Sequence, residues 1–215
     1  MEAVDRSAVD FWDARYEAET YAYGTEPNAY FRQRLDALPS GRLLLLAEGE
    51  GRNAVYAAKR GWQVTAVDFS DEGRAKALRL ALAQGVHLDY QVTDLTNLNW
   101  LRPGYYDAVG FLYAHLAPDD RRAVHAAAAA SLALGGHLIL EAFSVRQLGL
   151  PSGGPRTAET LYEPATLAKD FAGLSILENH ELGVVLHEGS FHSGPANVVR
   201  LLATRDSNDQ TNSSL

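Results

Sequence analysis

The chain has 215 residues, 47% apolar and 21% charged, which fits a folded globular protein and excludes a disordered one. Its formal net charge of −8 argues against nucleic acid as a partner, and the absence of cysteine excludes disulfides, thiolate metal ligands and a thiol nucleophile. There is no apolar run of about 18 residues and no leader-like N-terminus, so no membrane partner and a cytoplasmic location are expected.

Ser7-Ala8-Val9-Asp10 resembles a capping box, and Val9, Trp12 and Tyr16 recur behind it at helical spacing. Tyr21–Asn28, "YAYGTEPN", is turn material, with Tyr21 and Tyr23 candidates for a lid. Phe31–Leu38 reads as a short helix stopped by Pro39-Ser40-Gly41.

From residue 43 the pattern alternates. Strands are expected over Leu43–Ala47, Gln63–Val67, His87–Val92, Asp107–Leu112 and His137–Phe143. Helices are expected over Asn53–Lys59, Asp71–Gln84 and Pro118–Leu134, the last with an alanine block at Ala126–Ala130. Ser144–Pro164 is rich in Gly and Pro and reads as a loop, and Ala165–Phe171 as a helix. Ser175–Leu186 and Asn197–Thr204 form an antiparallel pair joined by "HEGSFHSGPA", and the polar stretch Asp206–Leu215 is expected to be disordered. The fold class is therefore α/β and Rossmann-like. It has a seven-stranded, mostly parallel sheet, helices on both faces and a C-terminal antiparallel strand pair.

The stretch "LLLLAEGEGRNA" runs from the first strand into a glycine turn, and Gly49-Glu50-Gly51-Arg52-Asn53-Ala54 fits G-x-G-x-x-G/A. Such a turn lets a nucleotide-like ligand approach the backbone closely. Asp68 ends the second strand, placed to accept ribose hydroxyls; capping of the next helix is its structural alternative. Asp94 and Leu95 follow the third strand, where an adenine would meet a carboxylate and an apolar side chain, or Asp94 is simply a turn residue. NAD and S-adenosylmethionine both satisfy these features. Glu48 and Glu50 flank Gly49 and oppose a pyrophosphate, whereas Arg52 offsets them.

Several segments together resemble the class I adenosylmethionine-dependent methyltransferases, in particular the small bacterial branch related to tellurite-resistance methyltransferases. They are "AEGEGRNAVYAAKRGWQVTAVDFS", "YGTEPNAYF", "YAHLAPDDRR", "GGHLILEAFS" and "EGSFHSGPANVVRLLA". The resemblance implies an enzyme with S-adenosylmethionine as cofactor, transferring methyl to a small molecule such as a thiol or chalcogen oxyanion. An NAD-dependent oxidoreductase and a non-catalytic adenosylmethionine sensor are the alternatives. It implies one methyltransferase domain over residues 1–205: N-terminal helices and lid (1–41), a cofactor half (42–145) and a substrate half (146–205), as a monomer or weak dimer. The implied cofactor residues are Ala47, Glu48, Gly49, Gly51, Arg52, Asn53, Asp68, Phe69, Ser70, Asp94 and Leu95, with Tyr23. Leu45 departs from an acidic position and Ala47 from a glycine one, with Glu48 the candidate replacement carboxylate.

Candidates for chemistry lie past the strand ends. His115 is a base or hydrogen-bond donor, or a bridging residue. Glu141 is a carboxylate in an apolar strand, catalytic or ion-paired. His192 lies in the hairpin turn, where the relatives carry a histidine, near His187 and Glu188; that trio lacks a metal motif's spacing, and no metal is expected. Arg156, Phe143 and Tyr113 are candidate substrate contacts, with Arg146 a further cation.

Overall fold

A computed structural model describes residues 6–207, and the four leucines Leu43–Leu46 lie at its centre. The strands are β1 (Arg42–Leu46), β2 (Gln63–Asp68), β3 (Asp89–Val92), β4 (Tyr106–Leu112), β5 (Leu132–Phe143), β6 (Ser175–Glu188) and β7 (His192–Thr204). The helices are α1 (Arg6–Tyr16), α2 (Ala29–Leu35), α3 (Arg52–Lys59), α4 (Asp71–Ala83), α5 (Pro118–Ser131) and α6 (Pro164–Asp170). One seven-stranded sheet runs β3-β2-β1-β4-β5-β7-β6, parallel through β5, with β7 antiparallel to both its neighbours.

The β1 leucines are buried on both faces because successive side chains point to opposite sides of a strand. Leu44 and Leu46 pack with Val109, Phe111, Val124 and Leu167. Leu43 and Leu45 pack with Phe31, Ala54, Ala57 and Ala108. Helices α5 and α6 therefore cover one face and α2 and α3 the other. No described helix is long and apolar enough to cross a membrane.

Three expectations shift. The helix read as Pro118–Leu134 ends at Ser131, and Leu132 already pairs with Tyr106 in the sheet. Alanine propensity carried the helix too far, and strand pairing overrides it. The residues read as the turn "HEGSFHSGPA" are mostly strand, since β6 runs to Glu188 and β7 starts at His192. Pro195 is tolerated there because β7 pairs with β5 only from Val198 onward, so no ladder bond is lost on that side. The loop at 144–164 holds two short helical turns, Val145–Gln147 and Ala158–Thr160. Of the expected C-terminal tail, Asp206 accepts a bond from Ser175 Oγ at 2.8 Å, and residues 208–215 lie outside the described residues.

Candidate active site

The glycine turn sits at the carboxyl end of β1, where the strand order reverses. Gly49 and Gly51 both have positive φ, 56° and 85°. A Cβ on Gly51 would lie 2.5 Å from Ala77 Cβ, so this glycine is required for α4 to pack. Ala47 shares the positive φ at 56°. An L-residue there costs roughly 1–2 kcal/mol, which is why glycine suits the position.

The two glutamates of the turn face different tasks. The buried Glu48 accepts from the Ala54 N–H at 2.8 Å and the Asn53 side chain at 3.3 Å, supplying the cap that Gly51 cannot give α3. Burial pushes its carboxyl up to about 7, against those hydrogen bonds. Glu50 pairs at 2.6 Å with Lys76, both fully buried, and accepts from the Ala22 and Tyr23 N–H groups. It therefore does not present a free charge to a phosphate, contrary to the reading from sequence. Leu45 points into the core instead of the site: a Cβ on Gly110 would meet its Cδ2 at 2.6 Å.

Asp68 is buried beside the turn. Its Oδ2 accepts from the Gly49 N–H and its Oδ1 from the Ser70 N–H, both at 2.9 Å. Burial raises its carboxyl to about 6, against those bonds. Helix α1 lies over it. A Cβ on Gly49 would meet Tyr16 Oη at 2.6 Å, and Ser70 Oγ donates to Asp13. Ser70 also caps α4 through the Gly73 N–H. Asp94 caps a short turn through the Thr96 N–H, and Leu95 is buried in the core. Asp68, Phe69, Ser70, Asp94 and Leu95, and Gly51 with them, do not line the cavity: α1 lies over Asp68 and Ser70, Asp94 is spent on the Thr96 N–H, and Leu95 is in the core.

That cavity, about 720 Å³, runs from the glycine turn to the β6–β7 hairpin. Ala47, Glu48, Gly49, Arg52, Asn53 and Tyr23 line it on the cofactor side, and Tyr113, His115, Phe143, Arg156 and His192 on the other. Its volume and its glycine wall fit the amino-acid end of adenosylmethionine plus a small acceptor.

His192 is buried and ringed by aromatic groups, with centroids 4.4 Å from Tyr23, 4.4 Å from Tyr113 and 5.1 Å from Phe143. Its Nδ1 lies 3.5 Å from Glu188 Oε2, and its Nε2 edge faces Gly153. The same Glu188 oxygen takes Arg52 Nη2 at 2.7 Å. Burial would raise Glu188, but His192 and Arg52 hold it near 2; burial lowers His192, and Glu188 opposes this. His187 is on the opposite face of β6 from Glu188 and is exposed, so strand alternation separates the trio.

His115 lines the cavity but has both ring nitrogens engaged. Nδ1 donates to the Thr160 carbonyl at 2.8 Å, and Nε2 accepts from the Phe143 N–H at 3.3 Å. Burial lowers its pKa to about 4. It is a bridge, without a free lone pair for base catalysis. Glu141 is also committed, accepting from Arg200 Nε and Asn28 Nδ2 at 2.6 Å each and from Tyr113 Oη at 3.0 Å. Its ion pair with Arg200 makes it structural, and it is outside the cavity lining. Arg146 is exposed and lies 3.8 Å from Glu181, also off the cavity.

Asn28 was not singled out from sequence, yet it ties the site together. It caps α2, its N–H donates to Asn53 Oδ1, and its Nδ2 reaches both Glu141 and Glu188. Position after Pro27 signals the cap; contacts 113 and 160 residues away leave no local signal. Phe11, Arg15 and Phe191 likewise enter the lining only through tertiary packing.

Residues 43–136 match the family model of the methyltransferase domain. A ubiquinone biosynthesis O-methyltransferase from Xanthomonas campestris pv. campestris is 36% identical over 105 residues, 48% of this chain and 44% of that protein. The chain thus spans under half the length of the curated relatives it matches. Among solved structures, TehB from Haemophilus influenzae aligns with a TM-score of 0.69 at 16% identity, covering 92% of this chain and 67% of that one. The magnesium protoporphyrin IX methyltransferase ChlM of Synechocystis PCC 6803, with bound SAH, aligns with a TM-score of 0.64 at 20% identity, covering 94% and 100%. Residues 43–136 thus resemble a methyltransferase domain, and the chain as a whole shares the fold of TehB and ChlM.

Proposed function

We propose that the chain transfers the methyl group of S-adenosylmethionine to a small protic acceptor, a thiol or hydroxyl. One observation carries this reading: a single cavity has the glycine turn on one wall and the pocket-facing edge of His192 on the other. The methyltransferase match favours it over an NAD-dependent oxidoreductase or a sensor.

Bound adenosylmethionine supplies an electrophilic methyl group on a sulfonium. The chain's own work is to place and dry the reactants. The backbone of the Ala47–Glu50 turn lines the cavity, and Arg15, without an acidic partner among the described residues, offers a cation for a carboxylate. Tyr23, Tyr113 and Phe143 exclude water around His192. His192 Nε2 takes the acceptor's proton while Glu188, charged and fixed by Arg52, faces Nδ1 and stabilises the imidazolium. Asp68 serves the ribose once α1 lifts away from it.

Arg156 favours a second reading, in which the acceptor is a free chalcogen oxyanion and needs no base. Calorimetric titration is expected to give binding of adenosylhomocysteine and none of NAD; the reverse overturns the methyl-transfer reading. Replacing His192 with Gln lowers kcat by about 10²–10⁴ with a protic acceptor, read by adenosylhomocysteine release. An unchanged rate removes the base and leaves the oxyanion reading.

A further inference from the structure

The Glu188 carboxylate is held at both of its oxygens. Oε2 takes Arg52 Nη2 at 2.7 Å and lies 3.5 Å from His192 Nδ1. Oε1 takes Asn28 Nδ2 at 3.1 Å. An ion pair through one oxygen leaves a carboxylate free to turn about that contact, and a bond at the other oxygen fixes its plane. His192 depends on that plane. Its Nδ1 is buried, bonds to no other group among the described residues, and meets Glu188 only at this long distance.

Asn28 can fix the plane because its own amide has no freedom. The side chain is buried, and its Oδ1 accepts from the Phe31 N–H at 2.9 Å as the cap of α2. That bond decides which end of the amide carries the hydrogens. Nδ2 then has one hydrogen for each of two carboxylates, Glu141 at 2.6 Å and Glu188 at 3.1 Å. Glu141 is anchored in turn by Arg200 Nε at 2.6 Å and Tyr113 Oη at 3.0 Å. Two like charges therefore meet on one amide, each matched by its own guanidinium, Arg200 or Arg52.

An ionised carboxylate only accepts, so a ring nitrogen that faces Glu188 carries the proton, and the other nitrogen keeps its lone pair. Burial, Arg52 and Arg15 favour the neutral ring, against Glu188. We infer that Asn28 is a positioning residue: it fixes the Glu188 carboxylate so that neutral His192 holds its proton on Nδ1 and turns a free Nε2 to the acceptor. This rests on the reading of His192 as the base in methyl transfer.

The test reads the tautomer directly, from the imidazole nitrogen resonances of the isotope-labelled full chain at about pH 8, above the histidine titration range. His192→Gln assigns the signal among the seven histidines. Wild type is expected to show Nδ1 protonated and Nε2 bare. Asn28→Ser keeps a good helix cap but cannot reach the two carboxylates. It is expected to lose most of the Nδ1–H form, and Asn28→Thr, also a cap residue, is expected to do the same. Glu188→Ala should give the same mixture, with no further change when Asn28→Ser is added. With Asn28 intact, Glu188→Ala should also move one Asn28 side-chain amide proton and leave the other, on Glu141, in place. A wild-type tautomer in Asn28→Ser overturns the inference, as do two unmoved amide protons in Glu188→Ala, or a double variant that goes beyond Glu188→Ala. The measurement needs neither cofactor nor acceptor. Failure of adenosylhomocysteine to bind therefore counts against methyl transfer, and an unmoved tautomer counts against Asn28 alone.

Discussion

Lys76 is almost fully buried, and its ammonium meets Glu50 at 2.6 Å and the carbonyls of Thr20 at 2.6 Å and Ala18 at 2.7 Å. One buried pair thereby holds the loop that carries Tyr23 over the cavity. Replacing Lys76 with Met strands the Glu50 charge and is expected to cost about 3–5 kcal/mol in urea unfolding. Adding Glu50→Gln should recover part of that loss. At the acceptor wall, Glu188→Gln removes the charge that opposes the burial-driven fall of the His192 pKa. The acid limb of kcat/KM is then expected to move to lower pH, with a fall in kcat. A purely structural role would lower the rate and leave the limb in place. Gly49 and His192, singled out from sequence, both line the cavity, whereas Gly51 serves the packing of α4. His115 and Glu141 were legible as unusual residues, but their chemistry depended on Thr160, Arg200 and Asn28, which no sequence pattern joins to them.

Helix α1 covers part of the glycine turn. Trp12 and Tyr16 read as a packing stripe, and they do pack, with ring centroids 5.6 Å apart. Tyr16 itself packs onto the glycine turn, near Asp68. The polar tie between α1 and α4 is Asp13 with Ser70. Asp13→Ala is expected to speed association of adenosylhomocysteine about two- to tenfold, followed by stopped-flow fluorescence of Trp12; a slower or equal rate would show that α1 does not limit entry. The hairpin makes the complementary point. Its residues are strand for longer than their Gly and Pro content suggested, and this extension carries Glu188 and His192 into direct opposition across β6 and β7. Turn-forming residues report local freedom, while ladder pairing with a neighbouring strand decides where the turn falls.

Over the whole molecule, buried titratable groups pull stability in opposite directions with pH. His115 falls from 6.5 to about 4 on folding, so its contribution is full above pH 6.5 and is lost as pH drops toward 4, a span worth about 3 kcal/mol. Glu48 and Asp68 are raised to about 7 and about 6, so theirs is full below their unfolded values and is lost as pH rises through those figures. The wild-type profile is therefore expected to be shallow between pH 4 and 7. His115→Asn removes one of the histidine contributions that oppose the two carboxylates, with His125 and His192, also lowered by burial, remaining, so its stability should decline more steeply across that window; parallel profiles by thermal unfolding would refute the assignment. The sequence by itself determined the strand–helix alternation, the parallel sheet and the glycine turn, because hydrophobic period and glycine conformation are local properties. Only the tertiary structure decided which carboxylates are free. Glu50, Asp68 and Glu141 are spent on Lys76, on backbone amides and on Arg200, partners that burial forces on any charge taken out of water.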